Sequence, residues 1–151
     1  SLLFSRQNLP FLARSESVLN SIAKGGYVLV DAADAKVTLI ATGSEIEIAM
    51  NTHKVLAEKG IAARVVSMPS TNVFDRQTAA YKAEVLGTAP IAVIEAGMTD
   101  SWYKYIAQAG VKGTVLGMST FGESAPAGAL FKHFGLTAEK FTEAALALVQ
   151  K

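Results

Sequence analysis

Four short apolar runs, each followed by a helical stripe, restrict this chain to few folds. VTLIATG (37–43), ARVVSMP (63–69), IAVIEA (91–96) and GTVLGM (113–118) read apolar on both faces. Strands of that kind need cover on both sides, which a parallel sheet between two helical layers provides. The intervening segments supply the layers. In residues 44–60, Ile46, Ala49, Met50, Leu56 and Ala57 share one stripe and Gly60 stops the helix. Residues 75–87 read as a helix with Asp75 at its N-cap and Gly87 closing it. Trp102, Tyr105, Ile106 and Ala109 follow at helical spacing, ended by Gly110. Pro126 falls in the first turn of a helix burying Ala127, Leu130, Phe131 and Phe134 before Gly135. Thr137 caps a last helix with stripe Phe141, Ala144, Ala145 and Leu148.

One run departs from this rhythm. YVLVD (27–31) reaches VTLIATG through AADAK alone. That link is too short for a crossover, so the two strands are expected to form an antiparallel hairpin. The parallel strands follow right-handed crossovers. The expected fold is α/β: a three-layer sandwich with a five-stranded mixed sheet, four strands parallel and one antiparallel, and helices on both faces.

The segment before the hairpin has a different character. Residues 9–24, LPFLARSESVLNSIAK, hold a proline, a charged stretch and a short amphipathic helix (Val18, Leu19, Ile22, Ala23) broken by Gly25-Gly26. It reads as a connector into a domain spanning 25–151. The opening SLLFSRQNLP begins without methionine, and Leu2, Leu3 and Phe4 read as a strand with nothing before it. So short a strand is not stable by itself. Residues 1–24 are therefore expected to be the end of a preceding domain plus the connector.

Composition narrows the function classes. The chain is half apolar and 18% charged, which excludes disorder. Fourteen basic against thirteen acidic residues, without runs, give no signature of nucleic acid or an anionic membrane. With no cysteine there is no disulfide or thiolate chemistry. No apolar run has the length of a membrane span, and the expected location is cytoplasmic.

Catalytic patterns are absent. There is no G-x-S-x-G elbow and no H-E-x-x-H. His53 lies on the apolar stripe of its helix and reads as a packed core residue. His133, beside Lys132, complements a helix C-terminus. The turn ATGSE (41–45) sends a strand through Gly43 into a helix starting at Ser44. Its free N–H groups could line a phosphate- or nucleotide-binding crevice, or it could be only a well-capped helix. TFGESAP (120–126) and Glu95 at the end of IAVIEA read as caps and turns. Arg6 differs. Followed by Gln7 and Asn8, it offers a planar fork of donors suited to a carboxylate or phosphate, with a surface ion pair as the other reading.

In order along the chain, SRQNLP (5–10), GGYVL (25–29), ATGSEIEIA (41–49), RVVSMPSTNVFDRQ (64–77), EAGMTDSWYKY (95–105), TFGESAP and LFKHFGLT resemble the C-terminal end of a transketolase. The resemblance runs from Ser5 to about Val149. It implies that residues 1–24 end a pyrimidine-binding domain and that 25–151 form the C-terminal domain. It implies an intact homodimeric enzyme of the pentose phosphate pathway that moves a two-carbon ketol unit between ketose and aldose phosphates. Thiamine diphosphate and a divalent cation (magnesium or calcium) would serve as cofactors there. Arg6 would bind the substrate phosphate. The family's GDG…N motif, its cofactor-activating glutamate and its channel histidines have no counterpart in these residues. The chain alone is therefore expected to hold no cofactor or metal, to contribute no catalytic residue and to be inactive, serving structure and assembly beside the absent N-terminal domains.

Overall fold

The computed structural model describes residue 5 and residues 7–150. The strand expected at Leu2–Phe4 lies outside them.

A sheet of five strands runs in the order β1-β3-β2-β4-β5. These are β1 (Tyr27–Val30), β2 (Val37–Ala41), β3 (Ala63–Ser67), β4 (Ile91–Met98) and β5 (Gly113–Met118). β2 is the centre, with all five residues buried, as a strand read apolar on both faces demands. Its parallel neighbours register Leu39 with Val65 of β3 and with Ala92 of β4. β4 pairs parallel with β5, and β1 is the one antiparallel strand. The expected fold class is the observed one.

Alternation along β2 divides the core in two. Val37, Leu39 and Ala41 face one layer, where α2 (Glu45–Glu58) and α7 (Ala138–Val149) bury Ile46, Ala49, Leu56, Phe141 and Ala145. Ile40 faces the other. There α3 (Thr71–Asp75), α4 (Ala79–Leu86) and α5 (Tyr103–Ala109) contribute Phe74, Val85, Leu86, Tyr105 and Ile106. Phe74 meets Tyr105 edge-on at 5.7 Å between ring centroids. α6 (Ala127–His133) lies against the first layer through the half-buried Phe131. α1 (Glu16–Ile22), capped by Ser15, buries no residue fully.

Four expectations change. First, β1 runs antiparallel but does not form a hairpin with β2. Both edges of β2 are taken by β3 and β4, so the 31–36 link crosses β3 and places β1 on its far side. Two strand spacings are about 10 Å, well within reach of that link. Second, the helix expected over 75–87 is two helices. Asp75 ends α3, and Thr78 caps α4 by accepting from the Tyr81 N–H at 3.2 Å. Asp75 instead accepts from Lys104 Nζ at 2.6 Å and from Tyr105 Oη at 3.0 Å, tying α3 to α5. Third, on α2 the stripe turns toward Thr52 rather than Ala57. Thr52 is buried, and its hydroxyl donates to the Ala138 carbonyl at the start of α7. Fourth, Pro126 stands just before α6 as its N-cap rather than in its first turn, and its carbonyl accepts from the Ala129 N–H.

The Gly25-Gly26 pair does more than end α1. Gly25 adopts φ +83°, and a Cβ there would lie 2.5 Å from both Phe74 N and Ser70 O. The chain can enter the sheet against α3 because residue 25 has no side chain.

Candidate functional site at the carboxyl edge of the sheet

From β2 the chain crosses to β3 on one side, and it returns to β4 on the other. The carboxyl ends of β2 and β4 therefore flank a topological switch point, where open α/β sheets hold ligands. The turns after β2, β3 and β4 converge on this edge.

After β2 the chain turns at Gly43, whose φ is +52°. Among the described residues a Cβ there would meet only Ser5 Oγ, at 3.8 Å. Ser44 occupies the N-cap position of α2 but makes no cap bond with its side chain. Its hydroxyl donates to Glu45 Oε1 at 2.7 Å. Glu45 and Glu47 both lie in the first turn of α2. These two carboxylates occupy the end of the helix dipole where an external anion would bind.

After Ile94, β4 loses register with β5: Ile94 pairs with Leu116, yet Met98 pairs with Met118. The extra residues form a bulge over Gly117, where a Cβ would come within 2.9 Å of the Gly97 carbonyl and 3.1 Å of that of Glu95. Bulges redirect side chains. Here Glu95 is left half-buried, facing a crevice. Burial, and then the nearby carboxyl of Glu45, push the Glu95 pKa up to about 7. Glu45, only 3% exposed, is also raised by burial, against the lowering hydrogen bond from Ser44.

Two of the crevices along this edge flank the switch point. One, about 530 Å³, lies beneath the connector and is bounded by Leu9, Phe11, Arg14, Gly43, Ser44 and Glu47 among others. Arg14 is already engaged there, donating to Tyr27 Oη and to the Leu12 carbonyl. The other, about 630 Å³, includes Thr42, Ser70, Asn72, Glu95, Ser101 and Trp102 in its walls. Neither His53 nor His133 lines either one. His133 is exposed, its ring edge-on to Phe134 at 4.9 Å. In the 120–126 loop Glu123 and Ser124 are exposed, and Phe121 is 97% exposed.

Arg6 lies outside the described residues, so the sequence-predicted phosphate contact has no position in this geometry. Glu45 and Glu95 are the pair that sequence reasoning missed. The one available signal was a carboxylate closing an otherwise apolar strand, IAVIE. The partner acid is brought near it by the fold.

Comparison with known proteins gives this architecture a lineage. Residues 25–137 match the family described as the transketolase-like TK C-terminal domain. Transketolase 1 of Vibrio cholerae serotype O1 is 51% identical over 99% of this chain, which covers 22% of that protein. A Pichia stipitis transketolase, solved in complex with sedoheptulose-7-phosphate, superposes with a TM-score of 0.83 at 39% identity, over 95% of this chain and 20% of that one. The inactive beta4 tetramer of a split-gene transketolase superposes with a TM-score of 0.69 at 27% identity, over 95% of this chain and 48% of that one. The chain thus spans about a fifth of the curated relatives it matches. On this match of sequence and fold, the chain belongs to the transketolase family, as its C-terminal part.

Proposed function

We propose that this chain is the C-terminal part of an enzyme that transfers a two-carbon ketol unit between ketose and aldose phosphates. The observation that carries the reading is the 51% identity to a transketolase over 99% of the chain. Residues 25–151 would be the C-terminal domain, and residues 1–24 the end of the pyrimidine-binding domain with its connector. The intact protein would be a cytoplasmic homodimer of the pentose phosphate pathway. Arg6 would hold the substrate phosphate by charge-assisted hydrogen bonds.

Thiamine diphosphate with a divalent cation would supply the carbanion chemistry of the intact enzyme. The described residues do not fit that group. No three of their His, Asp or Glu side chains gather where a metal ion could sit. No catalytic step is assigned to them. The domain would instead support structure and assembly and, through Arg6, contribute one substrate contact. The inactivity of the beta4 tetramer of the split-gene relative supports this division of labour.

The phosphate- or nucleotide-module reading has less support. Two first-turn carboxylates occupy the helix end beside Gly43, and Arg14 in the adjoining crevice wall is engaged.

Complementation tests the proposal. The purified chain, with thiamine diphosphate and magnesium, is expected to show no ketol transfer. Co-expression with the portion of the Vibrio cholerae relative that precedes the match is expected to restore it. In the restored enzyme, Arg6→Ala should raise KM for the ketose phosphate more than it lowers kcat. Turnover by the chain alone would refute the predicted inactivity, and failure of complementation would count against the ketol-transfer reading.

A further inference from the structure

The 630 Å³ crevice at the switch point is built from three successive carboxyl-end turns. Its volume falls within the roughly 300–1,000 Å³ typical of small-molecule sites. Thr42 comes from the turn after β2, Ser70 and Asn72 from the entry to α3, and Glu95 from the β4 bulge. Ser101 and Trp102 come from the 3-10 turn Asp100–Trp102. The polar lining is thus three hydroxyls, an amide and one carboxyl, beside apolar Met68, Pro69 and Met98. Thr71 adds a fourth hydroxyl, and among the described residues no lysine, arginine or histidine is in the wall.

Charge decides what this lining accepts. Among the described residues the charged group that acts on Glu95 is Glu45, and it has the same sign. A phosphate or carboxylate ligand would add a third negative charge. A cation placed on Glu95 would provide the opposite charge that none of the described wall residues provides. We propose that this crevice binds a small hydroxylated amine, its ammonium group on Glu95 and its hydroxyls against Thr42, Ser70, Asn72 and Ser101. The proposal does not depend on whether the chain takes part in ketol transfer. Because Glu95 ionises near neutrality, the bound ammonium draws it to the carboxylate form and binding weakens below that range, with Glu45 the coupled group.

Trp102 is the only tryptophan of the chain and lies in the crevice wall, so its fluorescence reports occupancy. Three sugars that differ chiefly in charge serve as probes at pH 7: glucosamine, glucose and glucose 6-phosphate. Glucosamine is expected to give a saturable change, and glucose about a tenfold weaker one, as befits the loss of one charge-assisted contact. Glucose 6-phosphate should give none. Glu95→Gln removes a charge from a like-charged pair and should fold at least as well, while weakening glucosamine about tenfold. Equal binding of glucose and glucosamine, tighter binding of the phosphate, indifference to Glu95→Gln, or no saturable change with any sugar would each overturn the proposal.

Discussion

The two edges of the sheet treat charge in opposite ways. At the amino edge, Arg64 at the start of β3 meets Asp31, which follows the antiparallel β1, with Nη2–Oδ1 2.8 Å and Nε–Oδ1 2.9 Å. Arg64 also donates to the Glu84 carbonyl near the end of α4 at 2.7 Å. Beside it the buried Thr38 hydroxyl donates to the Leu86 carbonyl. Each polar group there has an opposite partner. At the carboxyl edge, the Glu45 carboxyl acts on Glu95, and among the described residues no cation does. At the first edge the charge of Arg64 is matched by the protein's own residues, beside a cavity of about 200 Å³. The second carries an electrostatic cost that a proton or an incoming cation would relieve, as expected where binding rather than stability shapes a surface.

Three substitutions can break or sharpen this contrast. The largest effect is expected at the carboxyl edge. Gly117→Ala would force its new Cβ against the Gly97 and Glu95 carbonyls. The bulge must then move, at a cost of about 2–4 kcal/mol in urea unfolding; an unchanged midpoint would mean that the bulge is not tightly held. Next comes the amino edge. Arg64→Ala removes the ion pair and leaves the Glu84 carbonyl without its donor. A loss of about 2 kcal/mol is expected, after discount for the exposed Asp31. No loss would erase the distinction between the edges.

The smallest effect has the opposite sign. Glu95 has a raised pKa in the folded state, so the fold holds its proton more tightly than the unfolded chain does. Its contribution is therefore favourable relative to high pH below the unfolded value near 4.5, and is lost as pH rises to about 7. Glu95→Gln should accordingly stabilise the protein at pH 8, by about 1–2 kcal/mol given partial solvent screening. The gain should shrink toward pH 4.5. Equal stability of the two proteins at pH 8 would remove the strain ascribed to this edge.

Much of the fold could be read from local pattern. β2 to β5 and the stripes of α2, α5 and α7 follow from apolar runs and helical spacing, which are properties of single segments. The adjacency of β1 did not, because a strand's neighbour depends on which edges others have already taken. α3 escaped because five residues are too few to display a helical period. The Glu45–Glu95 pair was out of reach for a stronger reason. The bulge that aims Glu95 arises from register between β4 and β5, and the carboxyl opposite it arrives on a helix fifty residues earlier. Arg6 was the residue singled out by sequence chemistry; Glu95 is the one singled out by geometry.

The crossing of the 31–36 link over β3 carries a consequence in time. β1 leaves the ribosome before β3, but its hydrogen-bonding partner is β3, and β3 in turn pairs with β2. The earliest strand of the sheet to be synthesised must therefore wait for the third before it has anything to pair with. Until then Tyr27–Val30 has no strand of the sheet to pair with, although it is the first of the five to be made.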